Sequence, residues 1–162
     1  MGYEMIRYFE NVNLKKFILI SIYTLSLFYI NVGIALFVNP DFFTVIMPPY
    51  IPYSTFFVFL SGFFEVLFGS MIIFKKTRYY GATGLCLLLI FVFPANIYLF
   101  QSYEAQEILN ITKEGSFVRL FFQVPLFILA YWHSIEKSSY YFDFFSILIF
   151  FPTIIYFLTL SN

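Results

Sequence analysis

Apolar stretches of helical length recur along the chain, each closed off by charges or turn-forming residues. Crossing a hydrocarbon core of ~30 Å takes about 20 helical residues, and five runs are long enough. Residues 17–38 follow Lys15 and Lys16 and stop at Asn39-Pro40-Asp41, residues 54–74 lie between Pro52 and Lys75-Lys76, and residues 79–100 come next. Residues 116–133 are less apolar and carry Arg119 and Gln123; residues 141–160 hold Asp143 near their start and Pro152 within. The runs are continuously apolar rather than alternating, which favours helices over barrel strands. The first run exceeds the ~7–15 residue apolar core of a secretion signal and lacks an A-x-A pattern, so it reads as an anchor. The expectation is an all-α membrane protein: a four-helix transmembrane bundle over 17–135 with an outer loop at 39–53, preceded by a segment 1–16. An extension, 136–162, supplies a fifth transmembrane helix.

Composition agrees. Apolar residues make up 61% of the chain and charged residues 11%, against ~45–50% and ~25% in soluble domains. With 26 Phe, 14 Tyr and a mean hydropathy of +0.85, too few polar side chains exist to cover a soluble globule, so the lipid bilayer is the solvent. Nine Lys/Arg against nine Asp/Glu leave no basic surface for nucleic acid. A single Cys86 and a single His133 provide no disulfide, CxxC pair, Cys-rich metal site or bis-His haem, so neither metal nor haem is expected.

Positive charge sets the orientation. Arg7, Lys15 and Lys16 precede the first run, Lys75, Lys76 and Arg78 separate the second from the third, and Lys137 follows the fourth. The other connections hold only Lys113, beside Glu104, Glu107 and Glu114. A multi-pass protein of the cell membrane with a cytoplasmic N-terminus follows. Tyr50, Tyr53, Tyr98 and Tyr103 would form an outer aromatic belt, and Tyr79, Tyr80, Tyr131 and Trp132 an inner one.

Polar residues inside the runs carry the candidate chemistry, since an ionised group at mid-bilayer costs at least ~2.5–3.5 kcal/mol. Glu65 sits centrally in the second run with Ser61 one turn outward. Arg119 and Gln123 share a helix face, and Asn96 and Asn31 lie in the outer halves of the third and first runs. With alternating directions these six fall at similar depth, and a Glu65–Arg119 ion pair is expected. Pro94 should free the carbonyl of Ile90, and Pro125 that of Phe121. Asn39, Pro40 and Asp41 read as N-cap, first helical position and acid of the first turn. A short interfacial helix is expected there, followed by a polyproline-like strap through Pro48, Pro49 and Pro52 that lies over the outer mouth. His133 reads as an interface residue, Cys86 as a packed small hydrophobe, and Gly81 and Gly84 as points of close helix contact. Asn110-Ile111-Thr112 matches the glycosylation acceptor pattern.

These motifs resemble the DoxX-like family of small membrane proteins. They are residues 33–52 (GIALFVNPDFFTVIMPPYIP), Ser61-Gly62-Phe63-Phe64-Glu65, Phe93-Pro94-Ala95-Asn96-Ile97 and Arg119-Leu120-Phe121-Phe122-Gln123. The resemblance spans 17–133 and implies a four-helix membrane bundle, with some relatives linked to thiosulfate or quinol oxidation or to maturation of a periplasmic dehydrogenase. It implies recurrent roles for Pro40, Phe43, Pro48, Pro49, Pro52, Gly62, Glu65, Pro94, Asn96, Arg119 and Gln123. The family commonly has His before the Phe of its first motif, where this chain has Leu36.

The favoured expectation is a redox-associated membrane subunit that binds a quinone-like or other small amphipathic ligand in an outer polar pocket. With no haem or iron–sulfur ligand set, it needs a bound organic cofactor or a membrane or exported redox partner. A non-enzymatic assembly or stabilising factor is the first alternative. A small-solute carrier with Glu65 as its protonatable site is the second, for which so small a bundle would act as a homo-oligomer.

Overall fold

The computed structural model describes residues 2–160, with side chains for 14–157 and 159. The described residues form seven helices: α1 (Gly2–Val38), α2 (Pro40–Val45), α3 (Ser54–Ile73), α4 (Arg78–Gln101), α5 (Tyr103–Ile108), α6 (Lys113–Ser134) and α7 (Tyr140–Leu160). Five are long and apolar enough to cross a membrane, the span within α1 being Leu14–Val38. The protein is thus an all-α, multi-pass membrane bundle. Helices are the open-chain solution in lipid because they satisfy every backbone group internally. Two departures from the apolar pattern concern helices: α1 reaches back to Gly2, and α5 occupies the connection at 101–115.

The spans form a ring. Helix α1 packs on α3, α3 on α4, α4 on α6, α6 on α7, and α7 returns to α1. α7 therefore sits within the architecture rather than beside it: Phe150 and Ile154 belong to the same buried core as Leu25, Ile72, Leu85 and Leu129. Its far half packs Tyr156 on Phe122 (ring centroids 4.3 Å) and Phe157 on Phe28 (5.4 Å). At its start the buried Asp143 carboxylate accepts from Trp132 Nε1 at 2.7 Å and from the Ser138 hydroxyl.

Small residues set the closest approaches, as expected where lipid supplies no hydrophobic drive between helices. A Cβ on Gly33 would lie 2.7 Å from the Gly62 carbonyl oxygen, and one on Gly62 would lie 2.9 Å from that of Gly33. Ser26 donates to the Gly69 carbonyl at 2.6 Å, adding a cross-helix bond to the same α1–α3 seam. Gly81 is a close contact too, its Cβ position 2.8 Å from the Phe68 carbonyl oxygen.

The two ends differ. At one, the basic turn between α3 and α4 is fastened by Arg78, which donates to the carbonyls of Ile72 and Ile73 at the end of α3; cations favour that helix end. At the other, Ile46 packs with Ala95, Leu99 and Ala105 in a separate apolar cluster. Ser102 and Thr112 cap α5 and α6 there, and Gln106 donates to the carbonyls of Leu99 and Phe100.

Several expectations are corrected. The strap is a turn, with Ile51 N–H donating to the Pro48 carbonyl at 2.9 Å, whereas polyproline II has no internal hydrogen bonds. Pro48 is fully buried, while Pro49 and Pro52 are exposed. Asn39 precedes α2 but its side chain caps nothing; Pro40 and Asp41 do occupy the first turn. Trp132 and His133, in the last turn of α6, are buried at 3% and 7% exposure rather than turned outward. Their rings stack, His133 Nε2 lies 3.2 Å from Ser21 Oγ on α1, and Trp132 donates to Asp143 on α7.

Candidate functional site

Between the main core and the smaller cluster at the α2 end lies a cavity of about 920 Å³, lined from all five spans and from α2. Its walls are mostly apolar, including Phe28, Val32, Val58, Leu89, Leu126 and Phe157. All six polar residues singled out within the apolar runs line it: Asn31 from α1, Ser61 and Glu65 from α3, Asn96 from α4, and Arg119 and Gln123 from α6. Asn39, Pro40 and Asp41 border the side near α2. Pro48, Pro49 and Pro52 do not reach it.

Glu65 and Arg119 face this space but do not pair. No ion pair within 4.0 Å joins them among the described residues, and the buried Glu65 Oε2 has no hydrogen-bond partner. The expected ion pair is thereby corrected. Its physical reason is the ring: α3 and α6 are not packed neighbours, α4 lying between them on one side and α1 and α7 on the other, and both residues line the cavity they share. Glu65 is only 8% exposed. An uncompensated polar group at such a position is costly unless something meets it.

The amide pair on α4 and α6 is ordered by a backbone carbonyl. Gln123 Nε2 donates to the Leu89 carbonyl at 2.7 Å, and Asn96 Nδ2 donates to Gln123 Oε1 at 2.7 Å. A carbonyl only accepts, so Gln123 must turn its nitrogen to Leu89 and its oxygen to Asn96. Asn96 must then present Oδ1 elsewhere, and that oxygen is buried without a partner. The side-chain amide meets Leu89, one residue before the Ile90 carbonyl that Pro94 was expected to expose.

Tyr29 was missed by sequence reasoning. It lies on α1, is 3% exposed, lines the cavity, and its hydroxyl is buried without a partner. The available signal was depth: most tyrosines here sit near span ends, whereas Tyr29 lies well inside Leu14–Val38. Three unpartnered atoms, Tyr29 Oη, Glu65 Oε2 and Asn96 Oδ1, therefore belong to residues of one cavity, together with the Arg119 guanidinium. Among the described residues no group of three or more His, Cys, Asp or Glu is placed to hold a metal ion.

The fold and cavity define a multi-pass helical membrane protein with a mostly apolar chamber, carrying a few polar groups, toward its α2 end. Residues 25–134, more than half of the chain, match the family described as a domain of unknown function, DUF8561, and the chain belongs to that family. Neither a curated protein nor a solved structure matches it. The matched stretch ends with α6, so Phe157 comes to the cavity from outside it.

Proposed function

We propose that the protein is a redox-associated membrane subunit that holds a small amphipathic ligand with a quinone-like head in this cavity. We also propose that it lies in the cell membrane with its N-terminus cytoplasmic and the cavity in the outer half. One observation carries the reading: three buried polar atoms without partners belong to residues that, with Arg119, line one chamber whose remaining wall is mostly apolar. Native structures satisfy nearly all buried polar groups, so such a grouping favours a bound molecule over inert packing. The volume suits small-molecule sites of ~300–1,000 Å³, and mixed lining suits a polar head with an apolar tail. Likeness of the quoted motifs to the DoxX-like family supports the redox association. A quinone, when bound, supplies the electron chemistry that this chain's side chains lack. Arg119 and the Tyr29 hydroxyl would donate to the head's oxygens, Glu65 and Asn96 would accept from its hydroxyls, and the aromatic walls would exclude water.

The test is binding of a short-chain benzoquinol, kept reduced, to purified protein in lipid nanodiscs. Glu65→Gln and Tyr29→Phe, each close in size to the original, should weaken binding about 10-fold, the loss expected when one buried polar contact is removed. Affinities indistinguishable from wild type in both variants would sink the ligand-binding reading. They would leave the assembly factor as the better account, for which Glu65→Gln changes only folded yield.

A further inference from the structure

We infer that the cavity selects amphiphiles whose head donates a hydrogen bond, through O–H or N–H, over otherwise identical heads that only accept. This rests on the ligand-binding reading and deepens it. The selection comes from a fixed direction in the polar lining. The Leu89 carbonyl holds the Gln123 amide nitrogen, Gln123 Oε1 holds Asn96 Nδ2, and the chain of donors ends with Asn96 Oδ1 buried and unmet. Turning Asn96 over would set its oxygen against the Gln123 oxygen; turning Gln123 as well would set an oxygen against the Leu89 carbonyl. The backbone thus dictates that the unmet atom of Asn96, a residue of the cavity wall, is an acceptor. Glu65 Oε2, on the neighbouring helix α3, is a second buried oxygen without a donor.

A hydroxyl head meets this lining fully. It donates to one of these oxygens and, through its own lone pairs, accepts from Arg119 or Tyr29. A ketone or ether oxygen can accept from Arg119 or Tyr29 but leaves both buried acceptors unmet. Such a head leaves the cost of those orphans standing, whereas a donor removes it. Among quinone-like heads, the hydroxyl-bearing reduced form satisfies the lining and the oxidised form does not.

The experiment compares para-octylphenol with its methyl ether, two probes that share ring and tail and differ in one donor. Binding to wild-type protein in lipid nanodiscs is measured for each, with empty nanodiscs as the partition control. The phenol should bind about 10-fold more tightly than the ether, the ratio expected for one satisfied buried acceptor. In Asn96→Leu/Gln123→Leu, which removes the directed oxygen together with the Gln123 oxygen that would otherwise be left unmet in its place, the ratio should fall several-fold, with folding checked by thermal unfolding. Should that variant fail to fold, the wild-type ratio decides alone. Equal affinities, or a preference for the ether, overturn the donor preference while the cavity still stands as an amphiphile site. If neither probe nor the benzoquinol binds above the nanodisc control, the ligand-binding reading falls and this inference falls with it.

Discussion

Gly33 and Gly62 meet across the α1–α3 seam with only hydrogen where other residues carry carbon. The carbonyl of each lies within 2.9 Å of where the other's Cβ would be, and backbone cannot yield as a flexible side chain does. Gly33→Ala and Gly62→Ala should each destabilise the fold by about 1–3 kcal/mol, the usual cost of overpacking, read as a lower thermal-unfolding midpoint of purified protein. Wild-type midpoints in both would mean the seam relaxes freely. The sequence pointed to Gly81 by its place in an apolar run, but not to this pair, because mutual contact depends on how two helices are rotated against each other. The same limit governs the polar residues. Glu65, Asn96, Arg119 and Gln123 stand out because a polar side chain inside an apolar run is visible by depth alone. Depth says nothing of azimuth, so a Glu65–Arg119 pair was expected where the two instead face a shared space.

At the scale of elements, length and hydropathy locate the spans closely: α3 starts at Ser54, and α7 covers Tyr140–Leu160. What they cannot give is which neighbour α7 chooses. That choice is made by contacts such as Asp143 with Trp132 Nε1 and the Phe122–Tyr156 stack, which join residues far apart in pattern. It ties Trp132, which alone reads as part of an outward aromatic belt, to the start of α7. Asp143 is thus a latch for the start of α7. Asp143→Ala leaves the Trp132 indole N–H without its acceptor and should cost about 1–3 kcal/mol. The chain has a single Trp, so its fluorescence reports this site alone. The expected outcome is a red-shifted emission and a lower unfolding midpoint in the variant. Unchanged emission would show that α7 docks without the latch.

For the whole molecule, the two ends of the ring differ in charge as well as in packing. Lys75, Lys76 and Arg78 lie in the α3–α4 turn, and Lys137 lies between α6 and α7 at the same end. Asp41, Glu104, Glu107 and Glu114 lie at the end that carries α2 and α5, where Lys113 sits over the Phe100 ring at 5.6 Å. Short connections rich in Lys and Arg stay on the cytoplasmic side during insertion, while acids contribute little. The basic turn should therefore face the cytoplasm, and the cavity should be approached from the outer leaflet. Cysteine mapping tests this cleanly because the one native thiol, Cys86, is buried in the core. In a Cys86→Ala background, Tyr50→Cys, at a residue 74% exposed, should react with a membrane-impermeant maleimide on intact cells. Lys75→Cys, in the exposed basic turn, should react only after the membrane is permeabilised. The reverse pattern would invert the molecule and place the chamber in the inner leaflet. Labelling of both positions in intact cells would point to dual insertion, and a ligand would then reach the chamber from either leaflet.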